Sequence, residues 1–435
     1  MPAVGALTCA VALTCCLQTP GFSPPDPSSI DAGEVRRIIS VLADDDMRGR
    51  RAFTEDAARA AAFLAGEFEA AGLEPLEGTQ GYRQHFPVYA IETESSRVIV
   101  DGVTLAASQI LLRLAEPTLS WSTGDAPLVV VGPGDDPQEK VVPLLQGGGS
   151  ALVFIHPQHR ATFTNLARFF RGTSRSMEAG AGGALVLVLV DASTDASYEV
   201  EASATISEEP LMNVVGMIPG RRSDEFVLFS AHYDHIGIRT PVEGDSIANG
   251  ANDDASGTTA VVTLARYFAE RGTPERTLLF AAFTAEEGGG YGSRHFSTQL
   301  DPDQIVAMFN IEMIGKPAVE GPNTAWITGF ERSSFGGLLQ EAVAGTEYSF
   351  YPDPYPSQNL FYRSDNATLA RLGVPAHSIS TTPIDVDPDY HQVSDHVETL
   401  DMSHMTNTIR AIAMGAERIV GGDATPTRVD PATVN

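Results

Sequence analysis

Histidine and carboxylate residues follow apolar runs in the second half of the sequence. His232 and Asp234 come directly after the apolar run 226–229. Side chains alternate along a strand, so these two are expected on the same side, at the strand end where open α/β sheets bind ligands. A metal-bound imidazole usually has its second nitrogen fixed by a carboxylate or carbonyl. Asp234 is therefore predicted either to fix His232 or to orient a neighbouring base.

Two pairs of adjacent acids lie in the loops that follow. Asp253 and Asp254 precede the helical run 258–269, and Glu286 and Glu287 follow the apolar run 277–283. Such pairs usually mark solvated turns. Neighbouring side chains diverge, however, so one carboxylate can bind a metal while the other acts as a base on water, with a pKa tuned by the surrounding charges.

Glu312 and His391 complete the group of candidate ligands. Glu312 lies between Ile311 and Met313 at the end of an apolar run, and burying a carboxylate there is costly without a partner or a metal. His391 lies in the polar loop 389–395, where a lone histidine is more often structural. Together the candidates supply five nitrogen and oxygen ligands and one free carboxylate. This set suits two Zn²⁺ ions roughly 3.5–4 Å apart, and it also admits Mn²⁺ or Co²⁺.

The elements that must position these residues alternate between strands and helices. The predicted strands are 214–218, 226–231, 277–283, 306–311, 325–328 and 376–379, and the predicted helices are 258–269, 335–344, 366–372 and 403–420. This alternation predicts an α/β fold, a three-layer α/β/α sandwich with a mixed, mainly parallel sheet.

The first half of the chain has a different pattern. Helical spacing of apolar residues near positions 35–42 and 60–71 predicts two amphipathic helices. Residues 92–206 contain short β-type runs separated by turn residues, which predicts an inserted, mostly β module.

Charge and cysteine content limit the classes of function and the location. The sequence has 56 acidic and 28 basic residues, a formal net charge of −28, which disfavours nucleic acids and anionic membranes as partners. The only cysteines are Cys9, Cys15 and Cys16, so no disulfide framework is expected after them. The apolar run 3–17 has the size of a signal-peptide core, although the first arginine is Arg36. We predict a signal peptide at 1–22 and export to the periplasm, the cell surface or the exterior, with membrane anchoring if Cys16 is lipidated.

The motifs taken together resemble the M28 family of dinuclear zinc aminopeptidases. The matching runs are Ala231-His-Tyr-Asp-His-Ile-Gly237, Ala251-Asn-Asp-Asp-Ala-Ser-Gly257, Ala285-Glu-Glu-Gly288, Asn310-Ile-Glu-Met-Ile-Gly315 and Tyr390-His391. Their order along the chain also matches, and the segment 92–206 lies where many relatives carry a protease-associated domain.

The resemblance implies a role for each matching position. His232, Asp253 and Glu312 would hold one zinc ion, and Asp253, Glu287 and His391 would hold the other, with Asp253 bridging. Glu286 would be the general base, Asp234 the acid beside the first histidine, and Tyr390 a group that polarises the scissile carbonyl. Asp254 would be a loop residue. His235 and four other histidines, His295, His377, His396 and His404, are expected to serve packing or loop hydrogen bonds.

The predicted domains follow from these sequence patterns and from the resemblance together. They are a signal peptide at 1–22, an N-terminal helical segment of the catalytic domain at 23–91, the β-rich insert at 92–206, the catalytic domain at 207–422 and a tail at 423–435. The sequence predicts no oligomeric state.

The expected function is a zinc-dependent exopeptidase that releases N-terminal residues from peptides by means of an activated water. The family's common motif has Asp where Glu312 stands, so a carboxypeptidase or dipeptidase with the same metal chemistry is the alternative. Glutaminyl cyclases share the fold but resemble a single-metal version, which the presence of both His232 and His391 disfavours. A non-catalytic binding module is the alternative of another class, disfavoured because every expected site position is filled.

Overall fold

The computed structural model describes residues 22–23, 26–170 and 172–434, without the side chain of Gln146. The three cysteines and all of the predicted signal peptide except Phe22 lie outside the described residues. The ring of Phe22 stacks on that of Phe268, with centroids 6.4 Å apart. Among the described residues, no helix has the length and apolar character needed to cross a membrane.

Helices and strands are numbered here in chain order. The helices are α1 (Ala32–Leu42), α2 (Glu55–Ala70), α3 (Pro137–Gly147), α4 (Arg160–Leu166), α5 (Ser256–Ala269), α6 (Tyr291–Phe296), α7 (Phe335–Ala342), α8 (Asn366–Ala370) and α9 (Met402–Val420). The strands are β1 (Glu74–Pro75), β2 (Arg83–Val100), β3 (Val103–Thr104), β4 (Ile110–Arg113), β5 (Thr118–Ser122), β6 (Leu128–Val131), β7 (Ala151–Ile155), β8 (Ser174–Ser176), β9 (Leu185–Leu189), β10 (Tyr198–Ile218), β11 (Arg222–His232), β12 (Gly237–Val242), β13 (Asp245–Ala248), β14 (Arg276–Phe283), β15 (Ile305–Ile311), β16 (Thr324–Ile327), β17 (Ser349–Pro352) and β18 (Ala376–Ser380).

One mixed sheet carries the candidate site residues. Its strand order is β17-β16-β18-β15-β11-β14-β10-β2-β3. The strands β14, β11, β15 and β18 are mutually parallel and form its centre, whereas β10 and β2 pair antiparallel on one side. The predicted α/β fold with a mixed sheet is confirmed, with its parallel pairs at the centre and between β16 and β17.

Alternation along the central strands buries both faces of the sheet. On β11, Val227 and Phe229 belong to the apolar cluster that contains α1, α2, α5 and α9. Leu228, between them, belongs to the cluster on the opposite face, together with Phe296 of α6 and Leu369 of α8. Burial on both faces is what a parallel strand between two helical layers requires. The sheet is therefore the middle layer of three.

The strands and helices predicted after residue 211 are all present. Their ends lie within two residues of the predicted ones, except that β10 and β11 begin earlier than predicted. The two predicted amphipathic helices are α1 and α2. After α2, the backbone N–H of Leu73 donates to the carbonyl of Phe68, and Gly72 has a φ of 76°. Glycine tolerates this left-handed conformation, so Gly72 ends the helix as predicted.

The strands β2 and β10 extend well beyond the central sheet. They pair from Arg83↔Val214 to Val100↔Tyr198, and they lead into a second sheet of order β4-β9-β7-β6. Helices α3 and α4 pack on one face of this second sheet through Val141 and Phe163. The predicted insert boundaries at 92 and 206 lie inside the two long strands, where Glu92 pairs with Thr205. The division of the chain into domains stays a prediction.

Candidate metal centre

The parallel strands at the centre of the sheet bring the candidate residues to one edge. His232 ends β11, Glu286 and Glu287 follow β14, and Glu312 follows β15. Because these three strands are adjacent and parallel, their carboxyl ends lie side by side. The loop before α5 adds Asp253, which is 3% exposed.

His232 forms the first group with two carboxylates. Its Nδ1–H donates to the backbone carbonyl of Asp234 at 3.1 Å, which leaves Nε2 as the ring nitrogen that faces the carboxylates. That Nε2 lies 3.4 Å from Oδ1 of Asp253 and 3.4 Å from Oε1 of Glu312. The three atoms thus converge on one point from three elements of the fold.

His391 forms the second group on the other side of Asp253. Its Nε2 lies 3.2 Å from Oδ2 of Asp253 and 3.2 Å from Oε2 of Glu287. The two oxygens of Asp253 therefore face different histidines. This is the orientation that a bridging carboxylate needs.

The donor atoms and their spacing fit metal ions. Two ligand atoms of a tetrahedral zinc site are about 3.3 Å apart, because each bond is about 2.0 Å long. The separations of 3.2–3.4 Å around Asp253 match this value. His232, Asp253 and Glu312 lie close enough together to hold an ion, and so do His235, Asp253 and Glu287. Nitrogen and carboxylate oxygen donors are those that zinc accepts.

His235 lies beside the second group, where the sequence predicts only packing or loop hydrogen bonds for it. Its side chain is fully buried, and its Nδ1 lies 2.9 Å from Oε1 of Glu287 and 3.8 Å from Oδ2 of Asp253. Oε1 is the oxygen of Glu287 that faces away from His391. The geometry is therefore compatible with two roles for His235. It could fix the orientation of Glu287 through Oε1, or it could itself contact an ion. In the sequence, the only sign that His235 lies near the site is its position directly after His-Tyr-Asp.

Burial and mutual repulsion shift the pKa values in this cluster. Burial alone would lower the pKa of His232, but Glu312 and Asp253 outweigh it and raise that pKa well above its ordinary value. Burial also opposes ionisation of Asp253, yet His232 and His391 hold its pKa well below the ordinary value. A cluster of buried carboxylates such as this one is stable only when positive charges lie beside it.

Glu286 is held beside these groups by Asp234. One carboxylate oxygen of Asp234 accepts a hydrogen bond from the backbone N–H of Glu286 at 3.1 Å. Burial raises the pKa of Glu286 well above its ordinary value, and the nearby Glu312 raises it further. Two roles are predicted for Asp234, to fix His232 or to orient a neighbouring base. Its backbone carbonyl contacts His232, and its carboxylate accepts a hydrogen bond from the backbone of Glu286.

Tyr390 lies against His391 with its hydroxyl toward Arg363. The two rings stack with centroids 4.1 Å apart, and the Tyr390 oxygen accepts a hydrogen bond from Arg363 at 3.2 Å. Burial and nearby carboxylates such as Asp253 raise the pKa of Tyr390, so its hydroxyl stays protonated. The hydroxyl therefore has a proton to donate to a substrate.

Glu312 has a second contact that accounts for its extra methylene group. While Oε1 faces His232, Oε2 accepts a hydrogen bond from the hydroxyl of Ser364 at 2.7 Å. The side chain of Glu312 thus reaches both His232 and Ser364, which lies in the loop after β17.

Two further acids support the backbone around Asp253. Asp254 accepts hydrogen bonds from the backbone N–H groups of Gly257 and Met313, each at 3.0 Å. Asp395 accepts from the N–H groups of Asn252 and Asp253. Asp254 therefore joins two loops, and Asp395 holds the backbone of the acid between the two histidines.

Arg50 ties together the segments that carry these residues. It is fully buried and donates to the backbone carbonyls of Leu42, Tyr233, Asn249 and Gly250 at 2.6–2.9 Å. Burial lowers its pKa to about 10, so it remains charged at neutral pH. One side chain thus joins the end of β11 to the loop that leads to Asp253.

Replacing Arg50 by methionine is expected to lower the free energy of unfolding by about 3 kcal/mol, because it leaves buried carbonyl groups without donors. Urea unfolding followed by circular dichroism measures this. Arg51→Met, at the adjacent exposed position, is the matched control and should change stability by less than about 0.5 kcal/mol. Equal effects of the two substitutions would contradict this role of Arg50.

A pocket opens in front of the two groups. Its polar lining includes His232, Asp253, Glu286, Glu312 and Tyr390, and its remaining wall includes Met313, Trp326, Leu360 and Ile384. The pocket has a volume of about 80 Å³. An apolar wall next to convergent polar groups is typical of a small-molecule or peptide side-chain site.

Comparison with known proteins gives a match over the same region. Residues 213–416 match the model of the family described as Peptidase family M28. A leucine aminopeptidase 1 from Trichophyton rubrum is 29% identical over 217 residues, which cover 46% of this chain and 56% of that protein. A leucine aminopeptidase 1 from Metarhizium robertsii is 29% identical over 209 residues, covering 44% and 51%. The chain thus spans little more than half the length of these relatives.

Solved structures resemble this chain over most of its length. An aminopeptidase from Aneurinibacillus sp. strain AM-1 aligns with a TM-score of 0.54 and 16% identity, covering 94% of this chain and 97% of that one. A zinc aminopeptidase from Bacillus subtilis aligns with a TM-score of 0.55 and 18% identity, covering 91% and 97%. At such identities the likeness concerns the fold.

Proposed function

Residues 213–416 match the model of Peptidase family M28, and on this premise we propose that the chain is a zinc-dependent aminopeptidase. It would hydrolyse the bond after the N-terminal residue of a peptide. The observation that carries the proposal is the position of Asp253, whose two carboxylate oxygens face His232 and His391 separately. A single carboxylate placed in this way can serve two ions.

Two zinc ions are proposed to bind around Asp253. His232, Asp253 and Glu312 would hold one, and Asp253, Glu287 and His391 would hold the other. Bound zinc polarises a carbonyl group and lowers the pKa of water, so that water can attack at neutral pH. Because every donor is nitrogen or oxygen, Mn²⁺ or Co²⁺ could replace zinc.

Glu286 is proposed to move the proton in this reaction. Its carboxylate accepts a proton from the attacking water and then passes it to the nitrogen of the leaving group. Burial raises the pKa of Glu286 above that of an ordinary carboxyl group, which favours its acceptance of a proton from water. Asp234 acts as a positioning residue, because its carboxylate accepts a hydrogen bond from the Glu286 backbone.

Tyr390 is proposed to donate a hydrogen bond to the oxygen of the scissile carbonyl. Its oxygen already accepts from Arg363 at 3.2 Å, so its own proton is free for the substrate. Charge that develops on the carbonyl oxygen in the transition state strengthens such a bond.

The N-terminal side chain is proposed to bind against the apolar wall of the pocket. Trp326, Leu360 and Ile384 form this wall close to Glu286, which favours a medium-sized apolar residue at the N-terminus. The names of the relatives, leucine aminopeptidases, are consistent with this choice.

Hydrolysis of free and blocked peptides tests the proposal. The zinc-loaded protein is expected to cleave leucine p-nitroanilide but not N-acetylleucine p-nitroanilide. It should also leave intact an N-acetylated dipeptide with a free C-terminus. Cleavage of that blocked dipeptide alone would point to a carboxypeptidase. Zinc binding without hydrolysis of any peptide would point to a binding module.

Glu312→Asp is expected to weaken zinc binding at its site by about 10-fold, because the shorter side chain cannot reach both His232 and Ser364. Competition with a chromophoric chelator measures the affinity. Glu320→Asp, at an exposed position, is the matched control. An unchanged affinity in the Glu312 variant would show that the extra methylene group is not needed.

Export is proposed on the sequence of residues 1–22 alone. Mass spectrometry of the N-terminus of the protein purified from its own cells tests it. An N-terminus beyond residue 15 supports export, and a lipid on Cys16 would add membrane anchoring. An intact Met1 would contradict both.

A further inference from the structure

A second pocket adjoins the one in front of the metal centre. It has a volume of about 570 Å³, and Glu286, Arg363 and Ser364 line both pockets. Under the proposed function, Glu286 gives its proton to the nitrogen of the leaving group. The second pocket, which also borders Glu286, therefore lies where the part of the peptide after the cleaved bond would extend.

Arginine side chains line this second pocket. They are Arg294, Arg363 and Arg371, in a chain with only 28 basic residues against 56 acidic ones. Arg363 donates to the side-chain oxygens of Gln358 and Tyr390, and the guanidinium of Arg294 lies 5.8 Å from the Tyr291 ring centroid. Within the described part of the chain, neither Arg294 nor Arg363 has a carboxylate within ion-pair distance. Both are exposed, so both can reach an anion in the pocket.

The acids of this pocket lie deeper than its arginines. Asp365 is 2% exposed, and Glu286 is only partly exposed. Arg294 and Arg363 are thus the more accessible charged groups of the pocket, and its carboxylates are the more buried ones. A ligand with an amine at one end and a carboxylate at the other would match this order of charges.

We propose that the second pocket binds the free C-terminal carboxylate of a short peptide, with Arg294 as a specificity-determining residue. The inference rests on the proposed function, because it uses the direction in which the leaving group extends. The preferred substrates are then dipeptides and other short peptides with both ends free. Guanidinium groups bind carboxylates through charge-assisted hydrogen bonds, which are stronger than neutral ones.

Binding to an inactive variant tests the proposal without requiring hydrolysis. Zinc-loaded full-length Glu286→Gln is titrated by calorimetry with leucylglycine, leucylglycinamide and leucylaspartamide. The free acid should bind about 10-fold more tightly than leucylglycinamide. A protein of net charge −28 would otherwise favour leucylglycinamide, which is a cation, over leucylglycine, which is a zwitterion. Tighter binding of leucylaspartamide than of leucylglycine would assign the pocket to an acidic side chain and overturn the α-carboxylate.

Arg294→Gln in the same background should bring the affinity ratio of acid to amide close to 1. Arg239→Gln removes an exposed arginine from a different pocket and should leave the ratio unchanged. Equal affinities for acid and amide in the parent variant, or no binding of either, would overturn the proposal.

The two proposals fail in different ways. Wild-type protein that cleaves leucylglycine and leucylglycinamide with equal kcat/KM would retain the aminopeptidase function and overturn the carboxylate pocket. Wild-type protein that cleaves neither would contradict the proposed function, and the affinity ratio of the inactive variant would still decide on the pocket.

Discussion

Glu286→Gln is expected to lower kcat for leucine p-nitroanilide by about 10³-fold, with zinc content unchanged. The substitution keeps the size of the side chain but removes the group that accepts and returns the proton. Because the carboxylate of Asp234 accepts from the Glu286 backbone rather than from its side chain, the local structure should persist. Steady-state kinetics and metal analysis of the same sample measure both quantities.

Two results would contradict this role of Glu286. Retention of more than about a tenth of wild-type kcat would exclude it as the base, since general bases contribute about 10²-fold or more. Loss of zinc together with activity would place it among the ligands. Glu331→Gln, at an exposed position away from the pocket, is the control for the loss of one acidic side chain.

Asp253→Asn is expected to abolish hydrolysis and to lower the number of bound zinc ions. An asparagine side chain has a single oxygen to offer, so it cannot face both His232 and His391 as the carboxylate does. It also removes a negative charge from a site that collects cations. Zinc affinity at both positions should fall by about 100-fold or more, as measured by competition with a chelator.

Asp254→Asn is the matched comparison for that variant. Asp254 is the adjacent residue and is equally buried, but its carboxylate accepts from backbone groups of Gly257 and Met313. It is expected to bind the same number of zinc ions as wild type with a lower stability. If zinc were lost only in the Asp254 variant, Asp254 rather than Asp253 would be the ligand.

The central sheet and the meeting of the candidate residues were predictable because the signals are local. Each apolar run is a buried strand with a polar residue at its carboxyl end, as at His232 on β11 and Glu312 after β15. In adjacent parallel strands these ends must meet. The sequence could therefore place the residues close together without any knowledge of loop conformation.

The supporting contacts were not predictable, because they join residues distant in the chain. Arg50 donates to the carbonyl of Tyr233, 183 residues later, and nothing in the sequence around Arg50 indicates this partner. The same holds for Asp395, which accepts from the backbone N–H of Asp253. For His235 the sequence predicts packing or a loop hydrogen bond but not the partner, because its contact with Glu287 depends on how the loop after β14 folds back.

The helices within the predicted insert were not predicted, for a different reason. Helix α3 contains Pro143 in its interior and ends at Gly147-Gly148-Gly149, which are signals for a loop rather than a helix. The long strands β2 and β10 were only partly predicted, because one face of β10 beyond the central sheet is polar. Tyr198, Val200 and Ala202 are buried there while Glu199 and Glu201 are exposed.

The most direct test of the central claim is a zinc titration of the metal-stripped protein, followed by hydrolysis of leucine p-nitroanilide. The account predicts no hydrolysis without metal and a rise in rate that ends at two equivalents of zinc per chain. Asp253→Asn should show no rise over the same range. A rate that reaches its maximum at one equivalent would contradict the dinuclear site. Hydrolysis that persists in the fully stripped protein would contradict the metal chemistry altogether.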